Sequence, residues 1–300
     1  MLYRDLSLGE HMTITEKFDL AIKLLKTGRL DGEYVLVHEG KEVRRTTYMT
    51  NAEWLRYEAD MPETIRESFM KGDGGELTPK DGYPPKMACY GSSSRLIYEL
   101  SRDTEGFCFE MKLPTTVGGV ANLDGYIDNG DGHVFVEAKC HEPYTAKKTK
   151  VSVRYCELYE YISSKMAGVF EIVTSPTNDE RQCTAEYFAR GERIARFDIK
   201  QMICHMLGIA TGLLSGSIAK KDISFIYLLY DPAVLELKPA VKARITQIYE
   251  RTCYEGKLID FGTLFEVILS FLAEKKGAAQ KPECKLAFTL VSQKDYKEHI

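Results

Sequence analysis

Residues 121–140 read ANLDGYIDNGDGHVFVEAKC, and the fold turns on them. Asn129-Gly130-Asp131-Gly132 is a hairpin signal, because Asn, Asp and Gly accept the left-handed backbone that tight turns need. Strand side chains alternate between faces. On 133–140, Val134, Val136, Ala138 and Cys140 therefore share one face, while His133, Phe135, Glu137 and Lys139 share the other. On 121–128, Leu123, Gly125 and Ile127 oppose Asn122, Asp124, Tyr126 and Asp128. A four-residue loop, 129–132, pairs Asp128 with His133 and sets Asp124 across from Glu137. A two-residue loop, 129–130, pairs Asp124 with Phe135 and leaves Glu137 diagonal. Both registers put Asp124, Glu137 and Lys139 on one face, and only an odd residue count breaks this.

Outward from the hairpin, Ser92, Ser93 or Ser94 caps a helix running to Leu100, and 107–113 reads as a strand. Beyond it, 197–214 has the pattern of a helix, and 223–230 that of an apolar strand ended by Asp231-Pro232. The stretch between, 141–194, predicts a helix over 156–169 and a second around Ala185. Ahead of all this come a helix at 14–25, a strand at 34–37, one or two helices over 53–70 interrupted at Pro62, and a Gly/Pro loop over 71–85. Helices over 239–254 and 261–273 and a strand at 286–291 follow. The order helix, strand, strand, strand, helix, strand predicts an α/β (α+β) fold. It divides into a mixed N-terminal extension (1–90), a core (91–235) with an insert at 141–194, and a helical C-terminal part (236–300) packing on the core.

Composition narrows the function classes. With 300 residues, 44% hydrophobic and 28% charged, the chain suits a globular protein with a full core. A net charge of −4 counts slightly against nucleic acid, but a local basic groove is enough to hold phosphates. Two basic runs offer one: Lys147, Lys148, Lys150 and Arg154, and Arg190, Arg193, Arg196 and Lys200, with Tyr144 and Tyr155 stacking on bases or simply packing. The eight Cys include no CxxC pair, which favours reduced thiols over a zinc site or disulfides. The N-terminus lacks an apolar core segment and no run suits a membrane span, so a cytoplasmic protein is expected. No GxSxG, HExxH or GxGxxG pattern occurs.

Carboxylates opposed on a strand pair lie about 5 Å apart at Cβ and repel, so Asp124 and Glu137 call for a cation. Magnesium suits them, since it takes hard oxygen ligands and keeps positions for water and phosphate. Lys139 points the same way, where a lysine helps position or deprotonate an attacking water, as an ammonium or as a neutral amine respectively. The plainer reading is a hairpin with a core face and a wet polar face.

Asp124 followed by Glu137-Ala138-Lys139 on an apolar strand resembles the D…(D/E)xK signature of the PD-(D/E)xK, restriction-endonuclease-like nuclease superfamily. The resemblance covers about residues 92–232, and Leu123 stands where the family often has Pro. It implies a central mixed sheet flanked by helices and Mg²⁺-dependent hydrolysis of DNA, with Mn²⁺ an alternative ion. It also implies a homodimer where both strands are cut. Asp124, Glu137 and the Ala138 carbonyl would hold the metal, and Lys139 would act on the water. Glu99, on the preceding helix, sits where many relatives carry a supporting carboxylate. Gln201 and His205 are similar to a Gln-x-x-x-Tyr element of some members, with His in place of Tyr. Gln201 is the functional candidate of the two, and His205 is expected to be a satisfied core histidine. Segments 197–208 (FDIKQMICHMLG) and 90–96 (YGSSSRL) also resemble a group of bacterial restriction endonucleases. Glu137→Ala and Lys139→Ala are expected to abolish cleavage with little loss of stability. The alternative is a nuclease fold without catalysis that binds nucleic acid or a protein partner.

Overall fold

The computed structural model describes residues 12–71, 75–145, 150–277 and 281–300. The chain runs through α1 (Ile14–Thr27), β1 (Tyr34–His38), β2 (Lys41–Arg45), α2 (Asn51–Ala59), α3 (Glu63–Met70) and α4 (Ser93–Ser101) into β3 (Cys108–Pro114), β4 (Val120–Asp128) and β5 (Gly132–Lys139). Next come β6 (Lys150–Ser152), α5 (Cys156–Lys165), β7 (Phe170–Pro176), β8 (Gln182–Ala189) and β9 (Glu192–Ile194). It closes with α6 (Ile199–Ser215), β10 (Asp222–Leu229), α7 (Pro239–Lys257), α8 (Phe261–Lys276) and β11 (Leu286–Ser292).

Local chemistry sets most of these boundaries. Thr13 with Glu16 and Thr50 with Glu53 form capping boxes at α1 and α2, and Ser92 caps α4. Asp198 caps α6 by accepting from the Gln201 N–H at 3.0 Å.

Five strands form the central mixed sheet in the order β11-β10-β5-β4-β3. β3, β4 and β5 are an antiparallel meander, and β10 lies parallel to β5 with Tyr227 beside Glu137 and Leu229 beside Lys139. The chain is thus mixed α/β, with the predicted order α4-β3-β4-β5-α6-β10. The C-terminal part is not a helical appendage alone, because β11 extends the same sheet in parallel with β10. The expectation of a helix around Ala185 is overturned. That segment is β8, the middle strand of a second sheet formed with β6, β7 and β9. Its alternate residues Cys183, Ala185, Tyr187 and Ala189 are buried, and pairing with β7 outweighs the helical preference of its Ala and Glu.

The central sheet separates two cores. Phe135, Phe225 and Tyr227 face α5, α6, α8 and the second sheet. Val134, Val136, Ala138, Ile226 and Leu228 face α1, α4 and α7, together with Trp54 and Phe69 from the N-terminal helices. Strand β5 therefore has no wet face, since Phe135 is fully buried and Glu137 is only 1% exposed, whereas on β4 Asn122, Asp124 and Tyr126 are half-buried and Asp128 is exposed. Helix α6 sits tightly over β3 and β4, because a Cβ on Gly208 would lie 2.7 Å from that of Ala121 and 3.0 Å from that of Leu113. That close approach brings the first turns of α6 over β5.

Candidate active site

The hairpin adopts the four-residue-loop register, with Asp128 opposite His133 and Gly125 opposite Val136. The pairing stops there, although β4 begins at Val120 and β5 continues to Lys139. The two strands part, and Asp124 fills the gap. Its carboxylate accepts the Ala138 N–H at 2.7 Å. A residue in an antiparallel pair directs its N–H and C=O to the same side, so the Ala138 carbonyl also faces this gap, while the Lys139 carbonyl accepts from Tyr230 on the other side.

An irregularity in β3 widens the split. Glu110 has φ of 55°, a left-handed conformation uncommon for a side-chain-bearing residue in a strand. It faces Asp124, and this is the one position skipped in the β3–β4 ladder between Phe109–Gly125 and Met111–Leu123. Alternation changes phase here on both strands: Phe109 and Ile127 pack into the α4-side core, whereas Leu113, Ala121 and Leu123 pack into the α6-side core. Such a conformation costs roughly 1–3 kcal/mol and persists where the surroundings impose it.

The result is a cavity of about 400 Å³ whose wall includes the carboxyls of Glu76, Glu110, Asp124, Glu137 and Glu142 against the ammonium groups of Lys86 and Lys139. Lys139 donates to Glu137 Oε1 and, at 2.6 Å, to Gln201 Oε1. His205 Nε2 lies 2.9 Å from Glu137 Oε2, within ion-pair distance, while His205 Nδ1 is buried without a hydrogen-bond partner. The electrostatics follow from this crowding. Burial pushes the Asp124 carboxyl well up, with the Glu137 charge adding to it. Burial, then Glu76 and Glu137, raise Glu110 to about 7. Burial also disfavours the Glu137 carboxylate, but Lys139 and His205 outweigh it and hold that carboxyl below its ordinary value. Burial likewise opposes the Lys139 ammonium, and Glu137 reverses this and holds its pKa well above the usual one.

Of the residues singled out in the sequence, the structure brings together Asp124, Glu137, Ala138, Lys139 and Gln201. Glu99 does not join them. It pairs with Lys26 of α1 and with Arg95 of its own helix α4, and it is not part of the cavity wall. His205 is a buried core histidine as expected, with Nε2 2.9 Å from Glu137 Oε2, but its Nδ1 has no hydrogen-bond partner. Tyr144 packs against Phe18 and Tyr155 against Tyr159, so both serve packing. Lys147 and Lys148 lie outside the described residues. Lys150, Arg196 and Lys200 line a second cavity of about 360 Å³ that shares Lys139 and Glu142 with the first. Arg193 pairs with Glu186 instead. Sequence reasoning missed Glu76 and Glu110. Glu110 sits in a predicted strand whose alternation gave no sign of the phase change, and Glu76 lies in the Gly/Pro loop, far from the hairpin in sequence.

The residues present fit a hard divalent cation. Five carboxyls and two lysines line the cavity, and Glu76 Oε2 is buried without a hydrogen-bond partner. No protein-family model, curated protein or solved structure matches the chain. No helix among the described residues is long and apolar enough to cross a membrane.

Proposed function

We propose that the protein is a Mg²⁺-dependent nuclease that hydrolyses DNA phosphodiester bonds. The observation that carries this reading is the convergence of Asp124, Glu137, Lys139 and Gln201 where β4 and β5 part. The α4-β3-β4-β5-α6-β10 order around them is the one implied by the resemblance to restriction-endonuclease-like nucleases.

Asp124, Glu137 and the Ala138 carbonyl would hold the ion, with Glu110 across the gap; Mn²⁺ takes similar oxygen ligands. A divalent cation bound there would neutralise phosphate charge and lower the pKa of a bound water. The remaining work belongs to the chain. An ammonium has three N–H bonds; Lys139 gives one to Glu137 and one to Gln201, which leaves one for a water or a phosphate oxygen in the cavity. Gln201 holds the amine in that pose, and the Asp198 cap fixes Gln201 itself on the first turn of α6. Lys150, Arg196 and Lys200 in the adjoining cavity supply positive charge for neighbouring phosphates. A homodimer would present two such sites to the two strands of a duplex.

The test is incubation of the purified protein with plasmid and linear DNA in Mg²⁺, Mn²⁺ or EDTA, beside Asp124→Asn. The amide oxygen of Asn can still accept the Ala138 N–H, so the fold is kept while the charge is lost. Metal-dependent cutting by the wild type and none by the variant is expected. Equal cutting by both, or cutting that survives EDTA, refutes the assignment.

A further inference from the structure

A second group of ligand-type side chains lies outside the carboxylate set. Asp19 from α1, Cys89 from the segment before α4 and His141 from just beyond β5 bring one carboxylate oxygen, one sulfur and one imidazole nitrogen within 4.8 Å of one another. His141 Nδ1 is 3.0 Å from Asp19 Oδ1, and Cys89 Sγ is 3.6 Å from Asp19 Oδ2. Asp19 and Cys89 are each 4% exposed, so a carboxyl and a thiol are buried side by side. Gly91 makes the placement feasible, because a Cβ there would fall 1.8 Å from Asp19 Oδ1. Cys89 and His141 also line the carboxylate cavity, so the cluster opens on one side.

We propose that Asp19, Cys89 and His141 form a zinc site, separate from the Mg²⁺ site and independent of the nuclease reading. Zinc holds S, N and O ligands at about 2.3, 2.0–2.1 and 2.0–2.2 Å. Around a tetrahedral centre those bonds set ligand atoms roughly 3.3–3.7 Å apart, and Asp19 Oδ2 lies 3.3 Å from His141 Nδ1 and 3.6 Å from Cys89 Sγ. The ligand set separates the two sites by chemistry. Thiolate and imidazole select zinc-type ions over magnesium, and the all-oxygen cluster at Asp124 does the reverse. One carboxylate and one thiolate balance the charge of a dication, so the occupied site is neutral where it is buried. Binding displaces the thiol proton and those that hydrogen-bond the three groups to one another; burial and then Asp19 push the Cys89 thiol well up without an ion, the Gly91 N–H opposes them, and a dication would offset them. Three protein ligands leave a fourth tetrahedral position, and it faces the cavity, the arrangement of an open rather than a closed zinc site.

Co²⁺ titration of EDTA-treated full-length protein tests this, because a thiolate–cobalt charge-transfer band reports sulfur ligation whatever the nuclease activity. The wild type is expected to show the band, to keep it under excess Mg²⁺ and in Asp124→Asn, and to lose it in Cys89→Ser. Zn²⁺ affinity, read by competition with a chromophoric chelator, should fall more than about tenfold in Cys89→Ser and in His141→Ala. His141 is part-exposed, so its variant keeps the test open should Cys89→Ser fail to fold. A folded wild type without the band overturns the proposal. So does a band that survives Cys89→Ser, which would move the sulfur to another of the eight cysteines.

Discussion

Replacing Glu110 with Gln isolates the electrostatic load on the cavity. Burial and the neighbouring Glu76 and Glu137 lift its carboxyl from the ordinary 4.5 to about 7. A folded-state pKa above the unfolded one means that the native chain holds its proton more tightly, so stability falls as pH rises between the two values. At about 1.4 kcal/mol for each pH unit, the metal-free wild type should lose about 3 kcal/mol between pH 4.5 and pH 7 through this one group. Gln has no charge to desolvate and keeps the left-handed backbone, whose strain cancels in the comparison. Glu110→Gln should therefore match the wild type at acidic pH and exceed it by up to about 3 kcal/mol above pH 7. Urea unfolding in EDTA across that range measures the difference. Repeating it with saturating Mg²⁺ should shrink or reverse that difference, because the Glu110 charge across the gap makes the wild type bind the ion more tightly than the variant does. Equal stability of the two proteins at every pH would refute the reasoning.

Three further perturbations follow from the same contacts. Lys139→Ala strands Glu137 as a buried charge and should cost roughly 3–5 kcal/mol by urea unfolding, contrary to the small loss expected from sequence. The pair Lys139→Met with Glu137→Gln should recover most of it, and a double variant as weak as the single one would count against a buried ion pair. Gly208→Ala should destabilise the fold by about 1–3 kcal/mol in thermal melts despite the better helix propensity of Ala, because its Cβ meets Ala121 and Leu113; a stabilised variant would mean α6 is not held that close. Gln201→Ala removes one hydrogen bond to Lys139, worth about 1 kcal/mol of stability, and should lower kcat for DNA cleavage with KM little changed; an unchanged kcat would remove Gln201 from the site.

What was legible in the sequence is what local chemistry determines. Ser92 caps α4 through its own hydroxyl, Pro62 separates α2 from α3, and the turn at 129–132 sets a register that carries Asp124 to Glu137. The rest depends on partners far along the chain. Hairpin β1–β2 lost its second strand because Lys41–Arg45 has four charged residues in five and is held only by pairing with β1. β8 reads as a helix by composition and becomes a strand through β7. Glu99 had the right spacing and the wrong direction, since Lys26 of α1 claims it. The cluster of Asp19, Cys89 and His141 has no motif at all, its members lying 70 and 52 residues apart, because the contacts that assemble it belong to the packing of α1 on the sheet.

Within the central sheet, the departures from local rules gather in one region. The left-handed Glu110, the unpaired end of the β4–β5 ladder, and five carboxyls with two lysines all fall around one cavity. Elsewhere the central sheet is ordinary: β5 and β10 pair along eight residues, and both faces bury aliphatic and aromatic side chains. A chain selected for stability alone would remove such a concentration of penalties, since Gln at 110 or Asn at 124 relieves charge at no cost in packing. Carboxyls crowded together in this way are relieved by protonation, which the raised Asp124 and Glu110 carboxyls reflect, and would be relieved equally by the cation proposed to bind among them.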